Sequence, residues 1–508
     1  MKQSKIYRKL LSVALAAIMV LSLTNGLSGR NALAAESGED GRLTWEKVEN
    51  NGRGLLYESK EKAELFEENY VKDGKVRASI VLDGQATLKK YSAENIANNA
   101  GAKSYRAQLQ AQQDKLAATI SKEVLGGEKL DVVWNITLAA NIISANIPYD
   151  KIDLIKVLPG VKDVVLEMSY QPETAQTTNN DPNMATGTEM VGSNYAWAAG
   201  YTGAGSKIAI VDTGLDREHQ LFNSEAFDYA IAETGKNVDL LTADEVAAVF
   251  SSLNAAKFLG SADGVYYNSK VPYGVNYIDR GLDFTHINDS QGEHGSHVAG
   301  IAAGNRFVSD GNGGFSASLD TVMTQGEAAD AQLMIMKVFG RGGGAYDSDY
   351  MTAIEDAIIL GADTVNLSLG SGNPGLAWNS TYATILNEVS QATNLVWANS
   401  AGNAYNWPQY SSVGYLYAED VSFATGGSPA TYAPTLSVAS VENKGSTGMY
   451  LEAQGVKAFY SETSGYGNSP LSSIAGEYDF IYIDGYGTDE DFAAVSDLLE
   501  GKIGRAHV

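Results

Sequence analysis

Cysteine is absent from the chain of 508 residues. That one absence removes disulfide bridges, thiol catalysis and Cys-ligated zinc together. Basic residues are few beside the acids, 36 against 61, and the net charge of −25 argues against nucleic acid or an anionic membrane as a partner. Long apolar runs are lacking beyond Leu23, so no later segment is suited to spanning a bilayer. Histidine is scarce as well, five in all, and none falls within residues 76–168, which leaves that stretch without a group for acid–base work near neutrality. What is present is 44% hydrophobic residues, 53 Gly and 19% charged residues, the composition of a globular, loop-rich α/β protein. The length implies two or three domains.

Residues 1–34 carry the features of an export signal. Lys2, Lys5, Arg8 and Lys9 precede an apolar run over 10–23, and Ala32-Leu33-Ala34 supplies a small-x-small cleavage pattern. Residues 35–75 are charged and weakly patterned, and are expected to form a loose leader. Structure is expected from 76 to 170: a strand over 76–82, a helix over 104–125 ended by Gly126-Gly127, a strand over 131–138, a further strand, a short helix over 149–158 and a strand over 161–168. That order predicts a ferredoxin-like α+β module. Residues 171–190 are polar and unpatterned, which is linker composition and a natural site for proteolysis.

A larger domain follows. Residues 207–211, Lys-Ile-Ala-Ile-Val, predict a strand buried on both faces of a parallel sheet, ending at Asp212. Functional groups gather outside the carboxyl ends of such strands, and a carboxylate there could orient an imidazole; alone, Asp212 reads equally as a turn or cap residue. Residues 292–300 read Gly-Glu-His-Gly-Ser-His-Val-Ala-Gly and lead into an apolar run that predicts a helix. His294 or His297 could act as a general base. A metal pair is the competing reading, weakened by the absence of Cys and of a His-Glu-x-x-His pattern. A strand over 332–339 followed by Gly340-Arg341-Gly342-Gly343-Gly344 resembles a dinucleotide loop, but the third Gly of that motif falls at Asp347, and an acid there repels phosphate.

Four segments in order settle the choice between these readings. Ile-Val-Asp-Thr-Gly-Leu-Asp (210–216), His-Gly-Ser-His-Val-Ala-Gly (294–300), Val-Asn-Leu-Ser-Leu-Gly (365–370) and Ser-Ala-Gly-Asn (400–403) resemble the subtilisin family of serine proteases, especially its lactocepin-like cell-envelope proteinases. The resemblance implies a parallel sheet flanked by helices over 191–445, and an inhibitory propeptide at 76–170. It implies Asp212 as the orienting carboxylate, His294 as the general base and Asn403 as an oxyanion donor. Gly342, Gly343 and Gly344, with Ser368, Leu369 and Gly370, would be two edges between which a peptide adds as a strand, and Ser400, Ala401 and Gly402 would border the main specificity pocket. His297 falls at a second, non-catalytic His, and Ser296 stands where the family usually has Thr.

Two departures qualify the match. Residues 225–270 are an insertion, expected at the surface near the cleft, with a helical run over 237–253; its acids suit a solvated face, with a structural calcium ion as the alternative. Beyond Asn403 the chain turns into residues 446–503, which resemble the start of the protease-associated domain inserted before the nucleophile. No Gly-Thr-Ser-Met-Ala segment occurs, so the nucleophilic Ser is absent from these 508 residues. Residues 504–508 break the expected alternation and are read as an artefactual tail. The expected product is therefore a secreted or envelope-associated serine endopeptidase, acting on proteins or peptides without a cofactor and restrained by its own propeptide, with this piece alone inactive. The alternative is a catalytically inactive secreted binding or inhibitor protein.

Overall fold

The computed structural model describes residues 35–37, 43–45, 74–172, 187–287, 292–341, 344–370, 380–402, 427–441, 450–453, 456–459, 476 and 488–499. The expected signal segment, most of the expected linker, Gly342, Gly343 and Asn403 lie outside them. Residues 1–75 form one unit, holding the antiparallel pair β1 (Ala35–Ser37) and β2 (Leu43–Trp45); residues 76–508 form the other.

The second unit opens within β3 (Lys75–Leu82), followed by a helix Ala100–Glu123, β4 (Asp131–Ile136), β5 (Ile142–Pro148), a short helix Ile152–Lys156 and β6 (Val161–Leu166). The sheet order β4-β5-β3-β6 is the ferredoxin-like arrangement expected from the sequence. The long helix begins where the Asn99 side chain accepts from the Ala102 N–H, and it stops before Gly126 and Gly127, both at positive φ. Its buried face includes Ala102, Leu109, Leu116 and Ile120, spaced as a single helical stripe.

Next come β7 (Ser169–Pro172), β8 (Lys207–Asp212), β9 (Tyr273–Asn276), the hairpin β10 (Phe307–Ser309) and β11 (Phe315–Ala317), β12 (Gln332–Lys337), β13 (Ala345–Tyr346), β14 (Thr364–Leu367), β15 (Leu369–Gly370), β16 (Val396–Ser400) and β17 (Leu436–Val438). Six of these form one parallel sheet in the order β17-β16-β14-β8-β12-β9. Consecutive side chains of a strand point to opposite faces, so the sheet has two cores. Ala209, Val211, Met334, Met336, Val365, Leu367 and Trp397 share one with Met351, Ile354 and Leu386 of the overlying helices Asp347–Ile359 and Ser380–Ala392. Ile210, Leu333 and Ile335 face the other, covered by Ala299 and Ala303 of the helix His294–Ala303.

The second face is covered only in part among the described residues. Asn366 stands level with Ile210 in the register, followed across the sheet by Ala398 and Leu436. On these strands Val396 is 51%, Leu436 61% and Val438 51% exposed. Interior strands of a parallel sheet are normally covered on both faces, and β8 and β12 are.

The N-terminal module and the large domain share a hydrophobic core that includes Trp134, Ile136 and Leu138 from one and Tyr350, Met351 and Ile354 from the other. All thirteen residues of the helix Asp347–Ile359 are buried for this reason, its acids included. The insertion carries the helix Ala243–Val249 within the run expected to be helical. Within residues 225–270 its last part packs on the module: Arg106 Nη1 donates to the Ser252 carbonyl at 2.6 Å, Lys257 Nζ to that of Asn135 at 3.0 Å, and the Phe258 ring meets Trp134 edge-on.

Candidate active site

Asp212 is the last residue of β8 and His294 the first of its helix, and the fold brings them together. His294 Nδ1 lies 2.8 Å from Asp212 Oδ1, with the carboxylate side chain fully buried and the imidazole 10% exposed. The Thr213 N–H donates to the same oxygen at 2.6 Å. A proton on Nδ1 completes this geometry and leaves Nε2 as the basic nitrogen of the ring. The other carboxylate oxygen, Oδ2, is buried without a hydrogen-bond partner among the described residues.

The loop after β8 is stitched to the helix. Thr213 Oγ1 accepts from the Gly295 N–H at 2.8 Å, and Ser296 Oγ accepts from the Asp216 N–H at 2.6 Å. Lys337 at the end of β12 donates to the Thr213 carbonyl. Two glycines permit the approach. A Cβ on Gly295 would sit 2.3 Å from the Gly214 carbonyl oxygen, and one on Gly214, at φ +116°, 2.2 Å from that of Phe284. His297, one turn along, is exposed, and the position beside Asp212 is taken by His294.

The second feature is a strand held between two edges. β7 pairs antiparallel with β13 through Tyr170 and Ala345, and antiparallel with β15 through Pro172 with Leu369 and Gln171 with Gly370. It thus lies between two edges as the middle strand of a three-stranded sheet. β15 is where the sequence places one edge. The other lies at Ala345–Tyr346, just past Gly344.

Acids gather where β7 and the module meet the helix Asp347–Ile359. Glu167 accepts from Ser79 Oγ and Ser348 Oγ, each at 2.7 Å; Asp349 accepts from Trp134 Nε1 at 2.6 Å and faces Arg77; and one Glu355 oxygen accepts the backbone N–H groups of Thr137, Leu138 and Ala139. Arg106 approaches Glu355, and Lys257 flanks the same region. Burial raises the pKa of Glu167 and of Asp349, and pushes that of Asp347 from 3.8 to about 7.

A carboxyl whose pKa is raised in the docked state stabilises that state fully below its ordinary value, and the contribution is lost as pH rises through the raised value. Docking of the module is therefore expected to loosen between about pH 4 and pH 7, the window set by Asp347. Hydrogen exchange of the Ser169, Tyr170 and Gln171 amides across that range, corrected for intrinsic rates, measures it. Protection that grows with pH would contradict the assignment of these acids.

Of the residues singled out from the sequence, Asp212 and His294 meet, and Leu369 and Gly370 pair with β7. Ser400 ends β16, its hydroxyl buried without a partner among the described residues, and Ala401 and Gly402 follow it. Sequence reasoning missed the stitching by Thr213 and Ser296 and the part played by Glu167, Asp347 and Asp349. In the sequence, Asp347 stands out only as the acid that spoils a phosphate loop. Among the described residues no three acidic or His side chains group to hold a metal ion, and no helix is long and apolar enough to cross a membrane.

A family model described as the subtilase family matches residues 203–478. The PII-type proteinase of Lacticaseibacillus paracasei is 30% identical over 309 residues, which cover 60% of this chain and 14% of that protein. The minor extracellular protease Vpr of Bacillus subtilis (strain 168) is 24% identical over 506 residues, 96% of this chain and 47% of that protein. The chain therefore spans a small part of the first relative and about half of the second. Among solved structures, the epidermin leader peptide processing serine protease of Staphylococcus aureus aligns at a TM-score of 0.39 and 15% identity, covering 72% of this chain and 68% of that one.

Proposed function

The chain belongs to the subtilase family, and from that premise we propose that it is the N-terminal part of a secreted or cell-envelope serine endopeptidase, made as a zymogen. The observation that carries the reading is the 2.8 Å pair of His294 with buried Asp212 at the carboxyl end of the central sheet. Asp212 holds the ring and stabilises its cation; His294 Nε2 takes the proton of a serine hydroxyl as that oxygen attacks a peptide carbonyl, then passes it to the leaving amine. A water repeats the sequence to release the acyl group. The chemistry requires no cofactor.

The serine itself is assigned to sequence beyond Val508. Support comes from the half-covered sheet face over β14, β16 and β17, where Val396 and Leu436 stand exposed and a further layer of a doubly covered sheet would fit. Residues 76–170 are assigned as the propeptide. In support, β7 lies between the two edges assigned to a substrate strand, where it would compete with one, and the module shares a core with the helix Asp347–Ile359. Residues 1–34 are assigned as the export signal, a reading that the extracellular relative supports.

The test is hydrolysis of casein by a longer product of the gene that includes the serine. Within it, Asn403→Ala is expected to lower kcat by on the order of a hundredfold or more, the scale known for one lost oxyanion donor in subtilisin. A change confined to KM would place Asn403 in binding. The rival reading is an inactive binding or inhibitor protein. Genomic sequence past the codon for Ile503 separates the two: a stop there, with no serine motif following, removes the endopeptidase reading.

A further inference from the structure

Tyr170 of β7 is wholly buried, yet its side chain is polar at the tip. Its hydroxyl donates to Asp347 Oδ1 at 2.8 Å, and it is hydrogen-bonded to Tyr432 as well. The ring packs edge-on against Tyr350, with centroids 5.6 Å apart, in a core that includes Ala345 and Leu369 from the two flanking strands. Asp347 has no exposed surface, and it also grips the backbone beside Tyr170. Its Oδ2 accepts from the Met168 N–H at 2.7 Å, its own N–H donates to the Met168 carbonyl at 3.2 Å, and Tyr350 adds a second hydroxyl to Oδ1 at 2.9 Å.

Apart from Met168 and Tyr170 themselves, the groups named here belong to the large domain, so a substrate strand that replaced β7 would meet the same walls. We infer that Asp347 makes this pocket selective for a tyrosine at the substrate residue that pairs with Ala345. The strand pairing sets the position: the residue opposite Ala345 points into the pocket, while its neighbour pairs with Gly370 on the other edge. Chemistry sets the preference. A buried carboxyl left short of one donor is penalised, and a phenylalanine would fill the volume without supplying that donor. Leucine would leave both a void and the missing hydrogen bond. Lysine could reach Asp347 only by stripping both its ammonium and the carboxylate of water, a desolvation cost that a neutral hydroxyl avoids.

For what the pocket selects, the inference rests on the proteolytic reading; for the pocket itself it does not, and the experiment has two arms accordingly. In the chain as it stands, hydrogen exchange of the Ser169, Tyr170 and Gln171 amides is compared between wild type, Tyr170→Phe and Asp347→Ala. Tyr170→Phe keeps the ring and its packing, and it is expected to speed exchange of that strand at least about tenfold while β8 and β12 stay protected. In the longer, serine-bearing product, matched peptides carrying Tyr or Phe opposite Ala345 are cleaved beside casein as a control. Tyr is expected to exceed Phe by about tenfold or more in kcat/KM, and Asp347→Ala to bring that ratio toward one. Unchanged exchange in Tyr170→Phe, or equal cleavage of the two peptides while casein is cut, overturns the selectivity. Uncut casein would sink the proteolytic reading instead, and the exchange arm would then decide alone whether Asp347 recognises the hydroxyl.

Discussion

His294→Ala is expected to abolish peptide-bond hydrolysis in the serine-bearing product, with kcat falling by on the order of 10⁶, the scale of the equivalent loss in subtilisin itself. The geometry gives the reason. His294 is the first residue of its helix, held by Nδ1 to a carboxylate with no exposed surface, so no other base occupies that place. Asp212 cannot substitute, because it stands behind the ring and its charge is engaged in the pairing. His297→Ala is the internal control, since that ring is exposed on the same helix and its loss is expected to leave turnover near wild type. Turnover on a chromogenic peptide, with the burst phase recorded, checks both. His294→Ala turning over within about tenfold of wild type would end its assignment as the base.

Much of this site is legible in the amino-acid sequence alone. The run over 207–211 reads as a doubly buried strand because both faces of β8 carry apolar residues, one set against each core. Its end at Asp212, and the His-Gly-Ser-His segment opening a helix, then put the two functional side chains at the same edge of the sheet. What escaped the sequence depends on partners far along the chain. Asp347, Asp349, Glu355 and Asp356 read as the polar side of an amphipathic helix, and in isolation they would be. They are buried because residues far earlier in the chain bring donors to them: Trp134 Nε1, the N–H groups of Thr137 to Ala139, and the Met168 N–H. No local pattern encodes that. Gly295 is a similar case. Its motif is visible, but the reason for glycine is the carbonyl of Gly214, distant in sequence, which a Cβ would strike.

The same long-range packing links restraint and recognition. One helix, Asp347–Ile359, presents its apolar side to the sheet and its acids to the module, and its first residue holds both Tyr170 and the Met168 backbone. A carboxyl raised to about 7 at that junction ties the seating of β7 between its two edges to pH. Were the module to leave, the pocket would open at the same moment, so the group that fastens β7 is also the one that would meet an incoming strand.

The second large effect is expected from Asp212→Asn, a fall in kcat on the order of 10⁴, the scale of losing the triad carboxylate in subtilisin. Here the local hydrogen bonds sharpen the cause. Oδ1 receives two donors, from His294 Nδ1 and from the Thr213 N–H at 2.6 Å, so an asparagine would place its carbonyl oxygen on that side. The ring would then keep its orientation and its tautomer. What the variant loses is the negative charge that stabilises the imidazolium formed when the serine proton arrives, and it gains a buried amide where Oδ2 now has no partner among the described residues. The expected signature is therefore a fall in kcat with KM little changed, and residual activity that climbs with pH as hydroxide replaces the weakened base. A variant with kcat within about tenfold of wild type would show that Asp212 only positions the ring; a loss confined to KM would place the damage in the cleft instead.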